Sequence, residues 1–201
     1  MLKHKYIVIE GNIGAGKTSL AKMIAAEYKG KLILEEFAEN TFLREFYKDP
    51  DRFAFPLEMS FMAERYQQMK NIFDEHGNDG QLIVSDYFFD KSLLFAKVNL
   101  KKEEFRLFES FFQMAKKNLP EPGLLIYLKK DVPLLQKNIQ KRGRDFEKQI
   151  AGSYLSAVND SYDNYLDEKK NLKKLTINSN ELDFISHPPH FKSILEMIKL
   201  C

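Results

Sequence analysis

The sequence predicts an α/β protein whose parallel sheet is covered by helices on both faces. Three observations predict it. Short apolar runs, mostly β-branched or leucine-rich, recur along the chain. Helical apolar spacing fills most of the stretches between them. A glycine-rich turn joins the first run to the first helix, and strands alternating with helices imply parallel crossovers.

The elements follow in order. Tyr6-Ile7-Val8-Ile9 is apolar throughout, as expected of a strand buried on both faces. A helix over 17–28 follows the glycine-rich turn, and Leu32-Ile33-Leu34 is the second strand. The stretch 58–73 carries Phe61, Met62, Arg65, Tyr66 and Met69 at helical spacing. Turn residues His76-Gly77-Asn78-Asp79-Gly80 introduce the third strand, Leu82-Ile83-Val84. A Phe-rich helix over 103–118 comes next. Pro120-Glu121-Pro122-Gly123 then introduces the fourth strand, Leu124-Leu125-Ile126-Tyr127-Leu128. Helices over 132–141 and 153–166 precede Leu175-Thr176-Ile177, and an amphipathic helix over 191–200 follows the Pro188-Pro189 break.

No repeat, low-complexity tract or linker divides the 201 residues, so one domain over 1–201 is expected. Hydrophobic residues make up 44% and charged residues 30%, which is a globular balance rather than a disordered one. Lys+Arg 31 against Asp+Glu 29 leaves a net charge of +2, which argues against a dedicated nucleic-acid binder. The single cysteine, Cys201, excludes an intrachain disulfide and a cysteine metal cage, and it fits a reducing, cytoplasmic setting. No apolar run approaches a membrane span and no signal peptide opens the sequence, so no membrane partner is expected.

Gly11-Asn12-Ile13-Gly14-Ala15-Gly16-Lys17-Thr18 matches G-x-x-x-x-G-K-[ST] between a buried strand and a helix. Such a loop turns backbone N–H groups inward around phosphate oxygens, and the helix adds its positive end. Lys17 is placed to reach the β- and γ-phosphates of ATP, and the Thr18 hydroxyl to ligate Mg²⁺. The loop alone does not separate a kinase from a GTPase, motor or nucleotide-gated switch, but no Asn-Lys-x-Asp motif for a guanine nucleotide is present.

Acids close two strands. Asp86 ends Leu82-Ile83-Val84-Ser85-Asp86, where it is a candidate to hold Mg²⁺. Glu35, followed by Glu36, is a candidate to accept a proton from an attacking hydroxyl. The bland alternative for both is an acid facing water. Arg142-Gly143-Arg144 follows a helix end, where basic residues and a capping glycine are ordinary. Beside a phosphate loop the same residues suit a lid, about 142–152, that clamps a transferring phosphoryl group.

In combination these motifs resemble the deoxynucleoside kinase family from about Tyr6 to Phe184. The carrying residues are the loop Gly11 to Thr18, Glu35, Tyr47 and Arg52, Glu58 with Arg65, Asp86, Phe95-Ala96, and Arg142-Gly143-Arg144 with Glu147, in that order. The tracts 42–47 and 142–147 look most like the bacterial-type purine branch, deoxyguanosine kinases in particular. The resemblance implies a P-loop kinase fold with a five-stranded parallel sheet and a helical homodimer interface. It implies transfer of the ATP γ-phosphate to a deoxynucleoside 5′-hydroxyl. Glu35 becomes the general base, Tyr47 and Glu147 the partners of the sugar 3′-hydroxyl, and Phe95 a wall for the base. Tyr47 would also crowd a ribose 2′-hydroxyl, and Arg142 and Arg144 become the lid clamp.

Three positions depart from the family pattern. Tyr87 stands where many members carry arginine, so it offers the substrate a hydrogen bond but no charge. Glu58 replaces the usual glutamine, and Glu36 or Phe37 replaces a proline, which leaves Glu36 open as an alternative base.

Glu58, Met62 and Arg65 share one helix face at i, i+4 and i+7. A carboxylate can accept from both guanine N1–H and the 2-amine, while Arg65 can donate to O6. Adenine suits a glutamine instead. The bland alternative is a pair of solvated helix charges. Three alternatives remain at this point: a deoxyadenosine/deoxycytidine kinase of the same family, a nucleoside monophosphate kinase, whose acceptor phosphate Glu35 and Glu36 would repel, and a nucleotide-gated switch with no acceptor pocket. Phe105, Phe108, Phe111 and Phe112 read as core or dimer interface.

Overall fold

The computed structural model describes residues 3–36, 40–77 and 79–201, so Phe37 and the turn residue Asn78 lie outside the described residues. Five strands, β1 (Tyr6–Gly11), β2 (Lys31–Ile33), β3 (Ile83–Ser85), β4 (Leu124–Lys129) and β5 (Lys174–Asn178), form one parallel sheet in the order β2-β3-β1-β4-β5. The helices are α1 (Lys17–Tyr28), α2 (Thr41–Lys48), α3 (Pro50–His76), α4 (Lys91–Asn99), α5 (Lys102–Lys116), α6 (Val132–Arg142), α7 (Gly152–Glu168) and α8 (Pro188–Leu200). A 3-10 turn, Asp145–Glu147, lies between α6 and α7.

Central β1 shows why apolar residues are needed on every position of such a strand. Side chains alternate between faces. Ile7 and Ile9 pack with Leu20 and Ile24 of α1, Ile139 of α6 and Ile194 of α8. Tyr6 and Val8 face the other way, toward Met62 and Met69 of α3, Phe108 and Phe112 of α5 and Tyr162 of α7. A third cluster joins Leu43 and Phe46 of α2 to Ala54, Leu57 and Phe61 of α3, off the edge of the sheet.

The helices differ from the sequence expectation at their starts. Helix α3 begins at Pro50, not at residue 58, and runs 27 residues, about 40 Å. The Asp49 carboxylate caps it by accepting from Arg52 N at 3.3 Å, and Pro50 sits at the first position, where its missing N–H costs nothing. Pro56 lies inside the helix and cannot bond back to the Arg52 carbonyl, an irregularity the surrounding contacts tolerate. Helices α2 and α4 span two to three turns and lie outside the sequence expectation; α4 has no clear apolar period, whereas α2 is amphipathic. The Asn40 side chain caps α2 by accepting from Phe42 N at 3.0 Å. Pro188-Pro189 begins α8 instead of breaking the chain ahead of it.

Because β2, β3 and β1 are neighbours, the loops that follow them open at one end of the sheet. That end is the crevice where strand order reverses in open α/β sheets.

Candidate active site

The loop after β1 is held open by its own residues. Gly14 and Gly16 have φ of 84° and 99°, and a Cβ on Gly14 would lie 2.8 Å from the Leu135 carbonyl oxygen. Asn12 anchors the turn to α7, donating to Leu155 O at 2.7 Å and to Asn159 Oδ1 at 2.8 Å, while its Oδ1 accepts from Ile13 N at 2.7 Å. Lys17 folds across the loop and donates to Asn12 O at 3.0 Å. Burial, and then the Lys91 ammonium, push Lys17 down to about 8.

Two acids meet this loop. Asp86 directly follows β3, whereas Glu35 lies two residues past the end of β2. Thr18 Oγ1 donates to Asp86 Oδ2, and Glu35 N donates to Asp86 Oδ1 at 2.8 Å. A hydroxyl and a carboxylate side by side, both hard oxygen donors at the mouth of a phosphate loop, fit Mg²⁺. Glu35 Oε1 accepts from Arg65 Nε at 2.9 Å and Nη2 at 2.7 Å, and Oε2 accepts from Lys91 Nζ. Burial alone would raise this carboxyl, but Lys91 and Arg65 outweigh it and hold it well below the usual carboxylate range. Glu36 is exposed and accepts from Gln68 Nε2 at 3.3 Å, so it does not share the cavity.

Further from the loop, α3 and α4 supply a buried polar set. Glu58 is only 2% exposed. Its Oε1 accepts from Asn99 Nδ2 at 2.6 Å, and its buried Oε2 has no partner among the described residues. Burial raises this carboxyl to about 7 against the opposing pull of Arg65 and Asn99. Arg65 also donates through Nη1 to Ser92 Oγ at 2.8 Å, so three of its five N–H donors are committed to protein acceptors. The donation to guanine O6 expected of Arg65 is thereby narrowed to its two remaining donors.

The segment expected to form a lid lines the other side. Arg142 Nη2 and, at 3.2 Å, Arg144 Nη1 both pair with Glu147. The arginines expected to clamp phosphate thus hold each end of one buried carboxylate here. The Tyr47 ring stacks against Phe146 at 6.2 Å.

Lys17, Thr18, Glu35, Tyr47, Glu58, Arg65, Asp86, Phe95, Arg142, Arg144 and Glu147, drawn from distant parts of the sequence, line one cavity. Tyr87 does not join them. It is fully buried beneath the site, where its hydroxyl donates to Gln68 Oε1, and burial pushes the phenol upward. Sequence reasoning missed Lys91, Asn99 and Tyr154, which also line the cavity. It missed Glu10 as well, a buried carboxylate behind the loop that accepts from Gly11 N and Phe88 N at 3.1 Å and from the Tyr162 hydroxyl at 2.6 Å. One signal was available: Lys91 opens a helix, where a cation opposes the macrodipole.

Comparison with known proteins identifies the family and the fold. The family model "Deoxynucleoside kinase" matches residues 7–201. A deoxyguanosine kinase of Bacillus subtilis is 33% identical, with 96% of each chain covered. A deoxyadenosine/deoxycytidine kinase of the same organism is 28% identical, covering 98% of this chain and 92% of the relative. A solved deoxyadenosine kinase from M. mycoides with bound dCTP superposes with a TM-score of 0.84 at 22% identity, covering 98% of this chain and all of that one. It shares the fold seen here, a five-stranded parallel sheet flanked by helices. A match that runs from β1 to the last residue leaves no segment of the site outside it: this chain belongs to the deoxynucleoside kinase family and phosphorylates a deoxynucleoside from a nucleoside triphosphate.

Proposed function

We propose that the chain transfers the γ-phosphate of ATP to the 5′-hydroxyl of deoxyguanosine, giving dGMP. The observation that carries the base assignment is the buried, unpartnered Oε2 of Glu58. A buried acceptor without a donor costs about 1–3 kcal/mol, and guanine, with N1–H and the 2-amine on one edge, relieves that cost. The two uncommitted donors of Arg65 remain for O6. Adenine presents an acceptor where guanine presents N1–H and meets the ionised carboxylate with a lone pair.

The remaining roles follow from placement. Glu35 accepts the 5′-hydroxyl proton as the oxygen attacks phosphorus, and its pairing with Arg65 fixes the carboxylate orientation. Gly11 to Thr18 cradle the phosphates, with Lys17 released from Asn12 O to meet them. Thr18 and Asp86 would hold Mg²⁺, which supplies charge neutralisation on the phosphates when bound. Tyr47 and Glu147 take the sugar 3′-hydroxyl, Phe95 walls the base, and Arg142 and Arg144 turn from Glu147 toward the transferring group. We assign these roles to one domain over 1–201 in a reducing, cytoplasmic setting, paired as a homodimer through α5.

Deoxyadenosine is the second reading, and the Glu58 carboxyl near 7 favours it at low pH, where the protonated group offers one donor and one acceptor. A panel assay tests both: Mg-ATP with each deoxynucleoside, guanosine and dGMP, following ADP and product. Conversion of deoxyguanosine with little use of guanosine is the expected outcome at pH 8. Turnover of deoxyadenosine alone at that pH would sink the guanine assignment, and turnover of dGMP alone would overturn the acceptor.

A further inference from the structure

Lys91 is a buried ammonium that the roles above leave unused. It is 5% exposed, opens α4, and has one hydrogen-bond acceptor among the described residues, Glu35 Oε2. Taking an ammonium out of water costs several kcal/mol, so a buried lysine needs a compensating charge. Glu35 supplies only one negative charge, and Arg65 already holds it through two N–H donors on Oε1. A second cation on the opposite oxygen over-neutralises the carboxylate. The α4 N-terminus adds a further positive end, and the Asp90 side chain, which would normally soften it, is turned away to Lys116 and Tyr165. Glu10, another buried carboxylate that attracts Lys91, spends its hydrogen bonds on two backbone N–H groups and Tyr162 instead of the ammonium. Among the described residues Lys91 thus spends one ammonium N–H donor on Glu35 and keeps two, on the wall of the cavity that Lys17 and Glu35 also line.

We propose that Lys91 is a catalytic residue, an ammonium that donates to a non-bridging oxygen of the phosphoryl group while it passes to the 5′-oxygen. The proposal rests on the phosphoryl-transfer reading of the cavity, not on the choice of base. In the step, the 5′-oxygen forms its bond to the γ-phosphorus and the bond to the β–γ bridging oxygen breaks. ADP leaves with that electron pair, and the hydroxyl proton goes to Glu35. Lys91 keeps its proton throughout. Its charge counts most when negative charge has spread over the transferring oxygens, so it acts on turnover more than on nucleoside binding.

The experiment compares the full-length wild type with K91M, K91R and K91A, each assayed with Mg-ATP and whichever deoxynucleoside the wild type uses best. Nucleoside binding is measured separately by calorimetry without ATP. K91M is expected to lose about 10²–10³-fold in kcat, with nucleoside Kd changed less than about threefold. K91R is expected to regain at least about tenfold of that loss, and added ethylamine to restore part of the K91A activity. A K91M enzyme within about threefold of wild type overturns the proposal. So does a loss of nucleoside binding in proportion to kcat/KM, or a defect that neither arginine nor ethylamine relieves, because either result makes Lys91 a scaffold for Glu35. A wild type inactive on every deoxynucleoside would instead defeat the phosphoryl-transfer reading itself.

Discussion

The Glu58 carboxyl titrates near neutrality because α3 carries it into a buried space where Asn99 is its one hydrogen-bond donor among the described residues, Arg65 and Lys91 attract its charge and Glu35 repels it. Two consequences follow at this residue. Its folded value of about 7 lies above the ordinary glutamate value, so the stability it contributes is full below that ordinary value and is lost as pH rises through about 7. The ligand-free E58Q variant should therefore gain stability on wild type across that window, by up to roughly 3 kcal/mol, in urea titrations at pH 4.5 and 8. Deoxyguanosine, which needs the ionised form, should bind more weakly as pH falls below about 7, while deoxyadenosine does not. E58Q should lower the deoxyguanosine-to-deoxyadenosine ratio of kcat/KM by tens- to hundreds-fold, on about 1.4 kcal/mol per decade. An unchanged ratio would remove Glu58 from base recognition. The sequence showed that Glu58 and Arg65 share a face. It could not show that Arg65 spends three donors on Glu35 and Ser92, because those partners come from other segments of the chain.

At the scale of elements, the strand, the glycine-rich turn and the helix start around Gly11 to Thr18 were legible because they follow from consecutive residues, whereas the turn's anchor on α7 was not. The turn's tolerance is set by a neighbour from α6. Gly14→Ala places a methyl 2.8 Å from the Leu135 carbonyl oxygen at a φ of 84°. It should cost about 2 kcal/mol or more of stability in a urea titration, and weaken ATP binding measured by calorimetry. The lid was legible only as a charge pattern. Nothing in Arg142-Gly143-Arg144 indicated that both arginines would rest on Glu147 in the 3-10 turn beyond them. Glu147→Ala should remove the carboxylate that both arginines pair with and the proposed partner of the 3′-hydroxyl. The variant should raise KM for deoxyguanosine about tenfold or more and erase the preference over 2′,3′-dideoxyguanosine. Retention of that preference would free Glu147 from sugar recognition.

For the whole molecule, α5 divides its aromatic residues between two surfaces. Phe108 and Phe112 are buried against the sheet, whereas Leu107, Phe111 and Met114, spaced i, i+4 and i+7, face outward at 50%, 41% and 57% exposure. Pairing with a second copy through this face predicts a mass near twice 23.6 kDa by light scattering for wild type, and a monomer for F111D. A monomeric wild type would overturn the homodimer. Among the described residues no helix is long and apolar enough to cross a membrane.

By itself the sequence determined the alternation of buried strands and helices, the phosphate loop and the acids near the strand ends, since each is written in the spacing of neighbouring residues. Tertiary structure alone decided which cations those acids meet. Packing of α3 and α4 over the sheet edge set Arg65 and Lys91 on opposite oxygens of Glu35 and Asn99 on Glu58, while Tyr87 was turned beneath the cavity. Charges tens of residues apart interact only once the chain has folded, and burial then makes each contact strong enough to set a protonation state.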